Sequence, residues 1–256
     1  VGCVGRPALS LLLPALVSSL VGDVVTRKLG IVHSAYPVVQ PPAWNALLLP
    51  KLALLGLACA LAAILFEELT ARLKRLLERV LSRLPLRMFV SGAALVLLWK
   101  VSGTTDYLGL GLPGIAGAFA LTHIVYSAFL WKTLFTSVTL AGGFLGGEVT
   151  PLFFVGATLG HIAAERLGLP VDVGAALGMG AVFGAAANTP LALAIMIGEL
   201  MGPRILPHTL FVCILACALT GHRGIYGAQR FARTKPWGKR IDPPMPLRAL
   251  HASTPK

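Results

Sequence analysis

Long apolar stretches alternate with short polar or glycine- and proline-rich breaks along most of the chain. Uncharged apolar runs of this kind predict helices, several of which are too short to cross a bilayer. Between residues 67 and 81 leucines lie three or four positions apart among charges, which predicts an amphipathic helical end. The predicted helices are Pro7–Gly22, Ala46–Arg83, Leu86–Val101, Ile115–Ala120, Leu121–Leu140, Val149–Arg166, Gly174–Ala187, Leu191–Met201 and Leu206–Leu219.

The composition places these helices in a membrane. The chain is 56% hydrophobic and 12% charged, with a mean hydropathy of +0.80, whereas soluble domains average about 25% charged residues. The pattern therefore predicts an all-α polytopic membrane protein, multi-pass in the cell (inner) membrane. Helices that begin at glycine or proline breaks within the apolar region are typical of transporters and channels.

The net charge of +12 is concentrated in the tail after His222. A basic flank beyond the last apolar segment indicates a cytoplasmic C-terminus by the positive-inside rule. Residues 236–256 are accordingly predicted to form a basic cytoplasmic tail after a transmembrane domain at residues 1–235. No aromatic interleaving or nucleic-acid motif accompanies the charge, so a nucleic-acid partner is not predicted.

The cysteines Cys3, Cys59, Cys213 and Cys217 lie in or beside apolar segments. No histidine accompanies them at zinc-like spacing, so we interpret them as packing residues and predict no metal or cofactor. The sequence contains no HExxH or GxSxG motif and no grouping of serine, histidine and aspartate that resembles a catalytic set. An enzyme is therefore not predicted, and an intramembrane enzyme stays a distant alternative.

One stretch, Gly142–Gly143–Phe144–Leu145–Gly146–Gly147–Glu148–Val149–Thr150–Pro151, combines a glycine-rich loop with a helix start. Thr150 favours the N-cap position and Pro151 the first helical position. Free N–H groups and the positive dipole end at such a start form an anion site. Glu148 is an acid at the predicted membrane depth, where ionisable residues are usually functional. The alternative is that the glycines only allow close helix packing and that Glu148 lies at an aqueous boundary.

Further along the chain, Gly174, Gly178, Gly180 and Gly184 form a small-residue surface that predicts close packing against another membrane helix. Asn188–Thr189–Pro190 then breaks the chain before the next helix. The last apolar helix ends at a second glycine-rich stretch, Gly221–His222–Arg223–Gly224–Ile225–Tyr226–Gly227.

Three motifs, in this order, resemble the CLC family of chloride channels and anion/proton antiporters. Gly142 to Pro151 resembles the family's GGxFxP filter loop, and Gly178 to Gly202 resembles its glycine/alanine helix, proline break and helix ending in Glu. The stretch GHRGIYGAQ places Tyr226 where the family keeps a tyrosine that coordinates the central anion. The resemblance implies the second inverted repeat of the CLC fold, with broken, re-entrant helices.

The filter loop is a variant, with Glu148 and Thr150 where most members carry apolar residues. This variant resembles the fluoride-selective antiporter subgroup, which implies that Thr150 hydrogen-bonds fluoride and that Glu148 takes part in proton coupling. Fluoride is small and strongly hydrated, so its site requires true hydrogen-bond donors. The implied anion-binding residues are Gly147, Val149, Thr150, Pro151, Leu152, Phe153 and Tyr226.

The family has two inverted repeats, and this chain resembles only the second. We expect it to be the downstream part of a longer protein, since it begins at Val1 without a methionine or signal peptide. The resemblance also implies a homodimer through Pro7–Val21, Leu191–Met201 and Leu206–Leu219. Fluoride/proton antiport is the leading interpretation. The alternatives are a chloride channel, a chloride/proton exchanger, and a non-conducting membrane scaffold.

Overall fold

A computed structural model describes residues 9–31, 36–120, 124–227, 229–233 and 240–246. The helices are α1 (Leu9–Lys28), α2 (Leu48–Val80), α3 (Leu84–Ser102), α4 (Leu112–Phe119), α5 (Ala128–Ala141), α6 (Val149–Leu167), α7 (Val171–Ala186), α8 (Pro190–Met201) and α9 (Leu206–Leu219), with a 3₁₀ turn at Pro203–Ile205. Cys3 lies outside the described residues. Two described helices, α2 and α3, are long and apolar enough to cross a membrane.

The chain divides into two compact units. One contains residues 1–36 and 227–256, with α1 and two short antiparallel strands, β1 (Arg230–Arg233) and β2 (Arg240–Pro246). The sequence did not predict these strands. The other unit, Pro37–Tyr226, contains α2 to α9 and the candidate functional residues.

The centre of the larger unit is the pair α6 and α7, which pack together through glycine. A Cβ atom on Gly156 would collide with the backbone of Gly178, and one on Gly160 would collide with the backbone of Gly174. The predicted small-residue packing surface of α7 is therefore confirmed. Around it lie α2, α8 and α9, which also contact α7.

The helix bounds agree with the predicted ones to within a few residues, with one larger difference. The helix predicted from Leu121 begins at Ala128, after a turn in which the Ala128 N–H donates to the Val125 carbonyl at 2.8 Å. Apolar composition continues through that turn, so hydropathy alone did not mark the start. Cys59, Cys213 and Cys217 are buried and form no disulfide bond among the described residues, as packing residues would be.

Candidate functional site

The glycine-rich loop connects α5 to α6 and ends at an open helix start. The first backbone bond of α6 runs from the Leu152 N–H to the Glu148 carbonyl at 3.2 Å. Among the described residues, no backbone hydrogen bond involves the N–H groups of Glu148, Val149 or Thr150, and Pro151 has none. Three amide donors therefore converge at the positive end of a 19-residue helix, which is the arrangement that binds anions.

The apolar pattern predicted that α6 begins at Val149, as it does, but the capping residue differs from the predicted one by two positions. Thr150 was expected at the N-cap and Pro151 at the first helical position, but the helix begins at Val149 and its N-cap is Glu148. Glu148 already has helical dihedrals (φ −88°, ψ −14°). Glycine-rich loops can enter a helix without the side-chain cap that sequence rules look for, and no side-chain cap bond forms here.

The residues around the start of α6 fall into an exposed group, a half-buried group and a buried group. Leu145, Gly146, Gly147 and Val149 are exposed, whereas Glu148 and Thr150 are half-buried. Pro151 and Leu152 are buried, and the Leu152 amide is already engaged within the helix. The loop and the first helical residues therefore form an accessible rim, and the next residues form its packed base.

The base of this helix start rests on α7. The rings of Phe153 on α6 and Phe183 on α7 meet edge to face, with centroids 5.4 Å apart. Three residues beyond Phe183, the Ala186 carbonyl accepts a hydrogen bond from the Ile225 N–H at 3.0 Å. Tyr226, which is 46% exposed, follows directly after Ile225. The C-terminal end of α7 therefore holds both the beginning of α6 and the segment that carries Tyr226.

A turn after α7 reinforces the attachment of the Tyr226 segment. Asn188 adopts a left-handed conformation (φ 58°), and its Nδ2 donates to the Arg223 carbonyl at 2.8 Å. The Arg223 side chain pairs with Glu68 of α2 at 3.2 Å. The position of Tyr226 thus depends on contacts from α2 and α7 as well as from its own glycine-rich stretch.

Lys132 of α5 packs against α6 at Phe154, a role that sequence reasoning did not identify. It is buried, and its Nζ donates to the carbonyls of Tyr107 at 3.1 Å and Gly109 at 2.7 Å. The same nitrogen lies 5.3 Å from the centre of the Phe154 ring. The available signal was a single cation within an apolar segment, which needs internal partners in a membrane.

A charged side chain on α3 lies beside the loop. The guanidinium of Arg87, on α3, lies about 3.6 Å from the position that a Cβ on Gly143 would occupy. Gly143 has a positive φ of 91°, which favours glycine there. Within the described part of the chain, no cluster of three or more His, Cys, Asp or Glu side chains is suited to a metal.

Comparison with known proteins assigns the chain to a family. Residues 3–221 match the family model described as voltage gated chloride channel. A relative named chloride/fluoride channel protein, from Pseudomonas syringae pv. tomato, is 38% identical over 241 residues, which cover 91% of this chain and 52% of the relative.

A solved structure is also similar. The crystal structure of a CLC-type fluoride/proton antiporter aligns with a TM-score of 0.80 and 32% identity, over 84% of this chain and 55% of that one. The chain thus spans about half the length of each of these two proteins. It has the helical CLC fold, and members of this family are integral membrane proteins. The chain belongs to the voltage gated chloride channel (CLC) family.

Proposed function

We propose that the intact protein carries fluoride across the membrane in exchange for protons, and that the anion binds at the start of α6. The observation that carries this proposal is the set of free amides at Glu148, Val149 and Thr150, joined by the threonine side chain. Fluoride gives up a strong hydration shell only to comparably strong donors. Three N–H groups and a hydroxyl supply donors of that kind, and the positive end of the helix dipole attracts the anion as well.

Each predicted site residue has a role in this proposal. The hydroxyls of Thr150 and Tyr226 donate to the anion, and the amides of Glu148, Val149 and Thr150 complete its shell. Gly147 leaves the approach open, since no atom lies within 4 Å of the position that a Cβ there would occupy. The base of the site consists of Pro151, Leu152 and Phe153.

Glu148 links the anion to the proton in this mechanism. A carboxylate next to a bound anion in a poor dielectric is repelled by it, so the bound state favours the protonated acid. Fluoride binding and proton uptake at Glu148 therefore promote each other, and this linkage is the basis of exchange. The half-buried position of Glu148 at the rim leaves it accessible to protons.

The wider assembly is part of the proposal. The chain is similar to a fluoride/proton antiporter over about half of that protein's length. This similarity supports a transport pathway to which residues outside this chain also contribute. We propose an inner-membrane homodimer with a cytoplasmic C-terminus, in which exposed apolar residues of α1, α8 and α9 form the interface. Examples on α8 and α9 are Ile195, Leu200, Ile214 and Leu219. Ile197 lies on α8, within the predicted interface segment, but it is fully buried, so it belongs to the core and not to the proposed interface.

Anion efflux from liposomes tests the proposed activity. The intact protein is reconstituted, and fluoride and chloride release are followed with ion-selective electrodes under matched gradients. We expect fluoride efflux to exceed chloride efflux. Faster chloride efflux would support the chloride channel or exchanger, and no efflux of either ion would support the non-conducting scaffold.

A further inference from the structure

The second half of helix α2 carries a charged surface that the proposed transport does not use. α2 has 33 residues, which makes it about 50 Å long, whereas the hydrocarbon core of a bilayer is about 30 Å thick. Residues 52–66 are uncharged, and Glu67 and Glu68 begin a charged part that continues to the end of the helix. About 20 Å of α2, the difference between the two lengths, therefore lies in the headgroup region or beyond it.

This end of α2 lies on the same side of the membrane as the segment that leads into the C-terminal tail. Glu68 pairs with Arg223 at 3.2 Å, and Arg223 belongs to the glycine-rich stretch just before the tail. That side is the one that we propose to be cytoplasmic. Basic residues accumulate there in membrane proteins, and anionic lipids give the membrane surface a negative potential.

Three arginines form a stripe along this end of α2. Arg72, Arg75 and Arg79 follow one another at intervals of three and four residues, so they share one face of the helix. All three are exposed, and the Arg72 side chain is 74% exposed. Lys74 and Arg83 are exposed as well. Clusters of four to eight basic residues next to a membrane-spanning helix are typical of sites for anionic lipid headgroups.

The nearby carboxylates neutralise little of this charge. Glu68 pairs with Arg223, which lies outside the stripe, as well as with Arg72. Glu78 pairs with Arg87 of α3 at 3.4 Å. Within the described part of the chain, no carboxylate lies within ion-pair distance of the other four exposed cations. The surface therefore keeps a net positive charge that an anionic partner can neutralise.

Exposed apolar side chains border the arginine stripe. Leu76 is 57% exposed and Val80 is 69% exposed. Leu76 lies four residues after Arg72 and three before Arg79, so it is next to both on the helix surface. A helix that lies in the headgroup region combines apolar side chains, which enter the acyl boundary, with cations, which meet the phosphates. The apolar side chains would gain nothing from water, so this combination favours a lipid surface over solvent.

We propose that the arginine stripe, together with Leu76 and Val80, binds the headgroups of anionic phospholipids. The three guanidinium groups donate to phosphate oxygens, and the two apolar side chains contact the adjoining acyl chains. Arginine suits this role because its planar group can donate two parallel hydrogen bonds to one phosphate. The proposal does not depend on which ion the protein carries.

The test measures lipid affinity by native mass spectrometry on the delipidated intact protein, titrated with phosphatidylglycerol or with the uncharged-overall phosphatidylcholine. We expect the wild type to bind phosphatidylglycerol more tightly. Arg72→Gln, Arg75→Gln and Arg79→Gln combined should reduce this preference by about fivefold for each arginine that is lost. Added salt should also reduce the wild-type preference, since exposed charges are screened.

Two controls separate charge from structure and from position. Arg72→Lys, Arg75→Lys and Arg79→Lys combined keeps the positive charge and should retain most of the preference, even if the glutamine variant folds poorly. Lys100→Gln removes an exposed cation near the other end of α3, about 28 Å along a 19-residue helix from its start, and should leave the preference unchanged.

The lipid site would be refuted by an unchanged preference in the glutamine variant, which would leave the surface to solvent or to a protein partner. An equal loss per charge in Lys100→Gln would also refute it, because net charge alone would then explain the preference.

Discussion

The rings of Phe153 and Phe183 meet edge to face, with centroids 5.4 Å apart, and this contact holds the open start of α6 against α7. Close by on α7, Ala186 binds the backbone of Ile225. Two segments far apart in sequence, one with Thr150 and one with Tyr226, are therefore attached to one end of one helix. We infer that this common support builds the anion site.

Thr150 is expected to determine fluoride selectivity. Thr150→Ala removes a donor that fluoride needs more than chloride does, so fluoride affinity should fall by about 1–3 kcal/mol and chloride affinity by less. Isothermal titration of the intact protein with each halide measures both. Thr150→Ser keeps the hydroxyl and is the matched control. Equal losses for the two ions in Thr150→Ala would contradict a selective role.

Tyr226 is expected to donate to the same anion. Tyr226→Phe removes only the hydroxyl, so the half-saturating fluoride concentration for efflux should rise without loss of folded protein. Tyr126→Phe is the control, because Tyr126 is similarly exposed and its hydroxyl bonds Glu165 near the other end of α6. If both variants behave like the wild type, the assignment of Tyr226 is wrong.

The glycine contact between α6 and α7 is expected to be essential for stability. Gly156→Ala would force a methyl group into the backbone of Gly178, and overpacking of this kind costs about 1–3 kcal/mol. The Tm in detergent, followed by tryptophan fluorescence, should fall. Gly92→Ala in α3 meets no atom within 4 Å and should leave the Tm unchanged or raise it slightly. A similar Tm for Gly156→Ala and the wild type would contradict this packing.

The dimer interface can be tested on α8 and α9. Ile195 and Ile214 are both exposed apolar residues. In lipid, such surfaces associate through shape-matched packing, because the hydrophobic effect does not drive helices together there. Ile195→Trp combined with Ile214→Trp should therefore raise the monomer fraction in single-molecule photobleaching in liposomes. Leu61→Trp, an exposed apolar position on α2, is the control. Undiminished dimers in the double variant would place the interface elsewhere.

The sequence predicted the features that depend on local pattern. Spacing of Gly174 and Gly178 indicated a close helix contact, and the partner glycines on α6 confirm it. The glycine-rich loop before α6 was also predicted, although the helix starts two residues earlier than the capping rules suggested. Local propensity determines such elements, so sequence reasoning finds them to within a turn.

Features that depend on distant partners were not predicted. Lys132 is stabilised by carbonyls of Tyr107 and Gly109, which have no side-chain signature in the sequence. Nothing in the sequence around Ser91 indicates that it is buried. Its burial results from its contact with Gly142, about fifty residues further along. The strands β1 and β2 contain prolines and basic residues, which strand patterns do not favour.

Proton coupling at Glu148 is the central claim, and paired flux measurements test it most directly. Intact protein is reconstituted into liposomes, and an imposed fluoride gradient drives proton movement, which is followed with a pH indicator while an electrode follows fluoride. The account predicts that the wild type moves protons against fluoride and that Glu148→Gln slows proton movement strongly, because glutamine cannot release a proton. Glu165→Gln, at the far end of α6, should behave like the wild type. Unchanged fluoride-driven proton movement in Glu148→Gln would contradict the account.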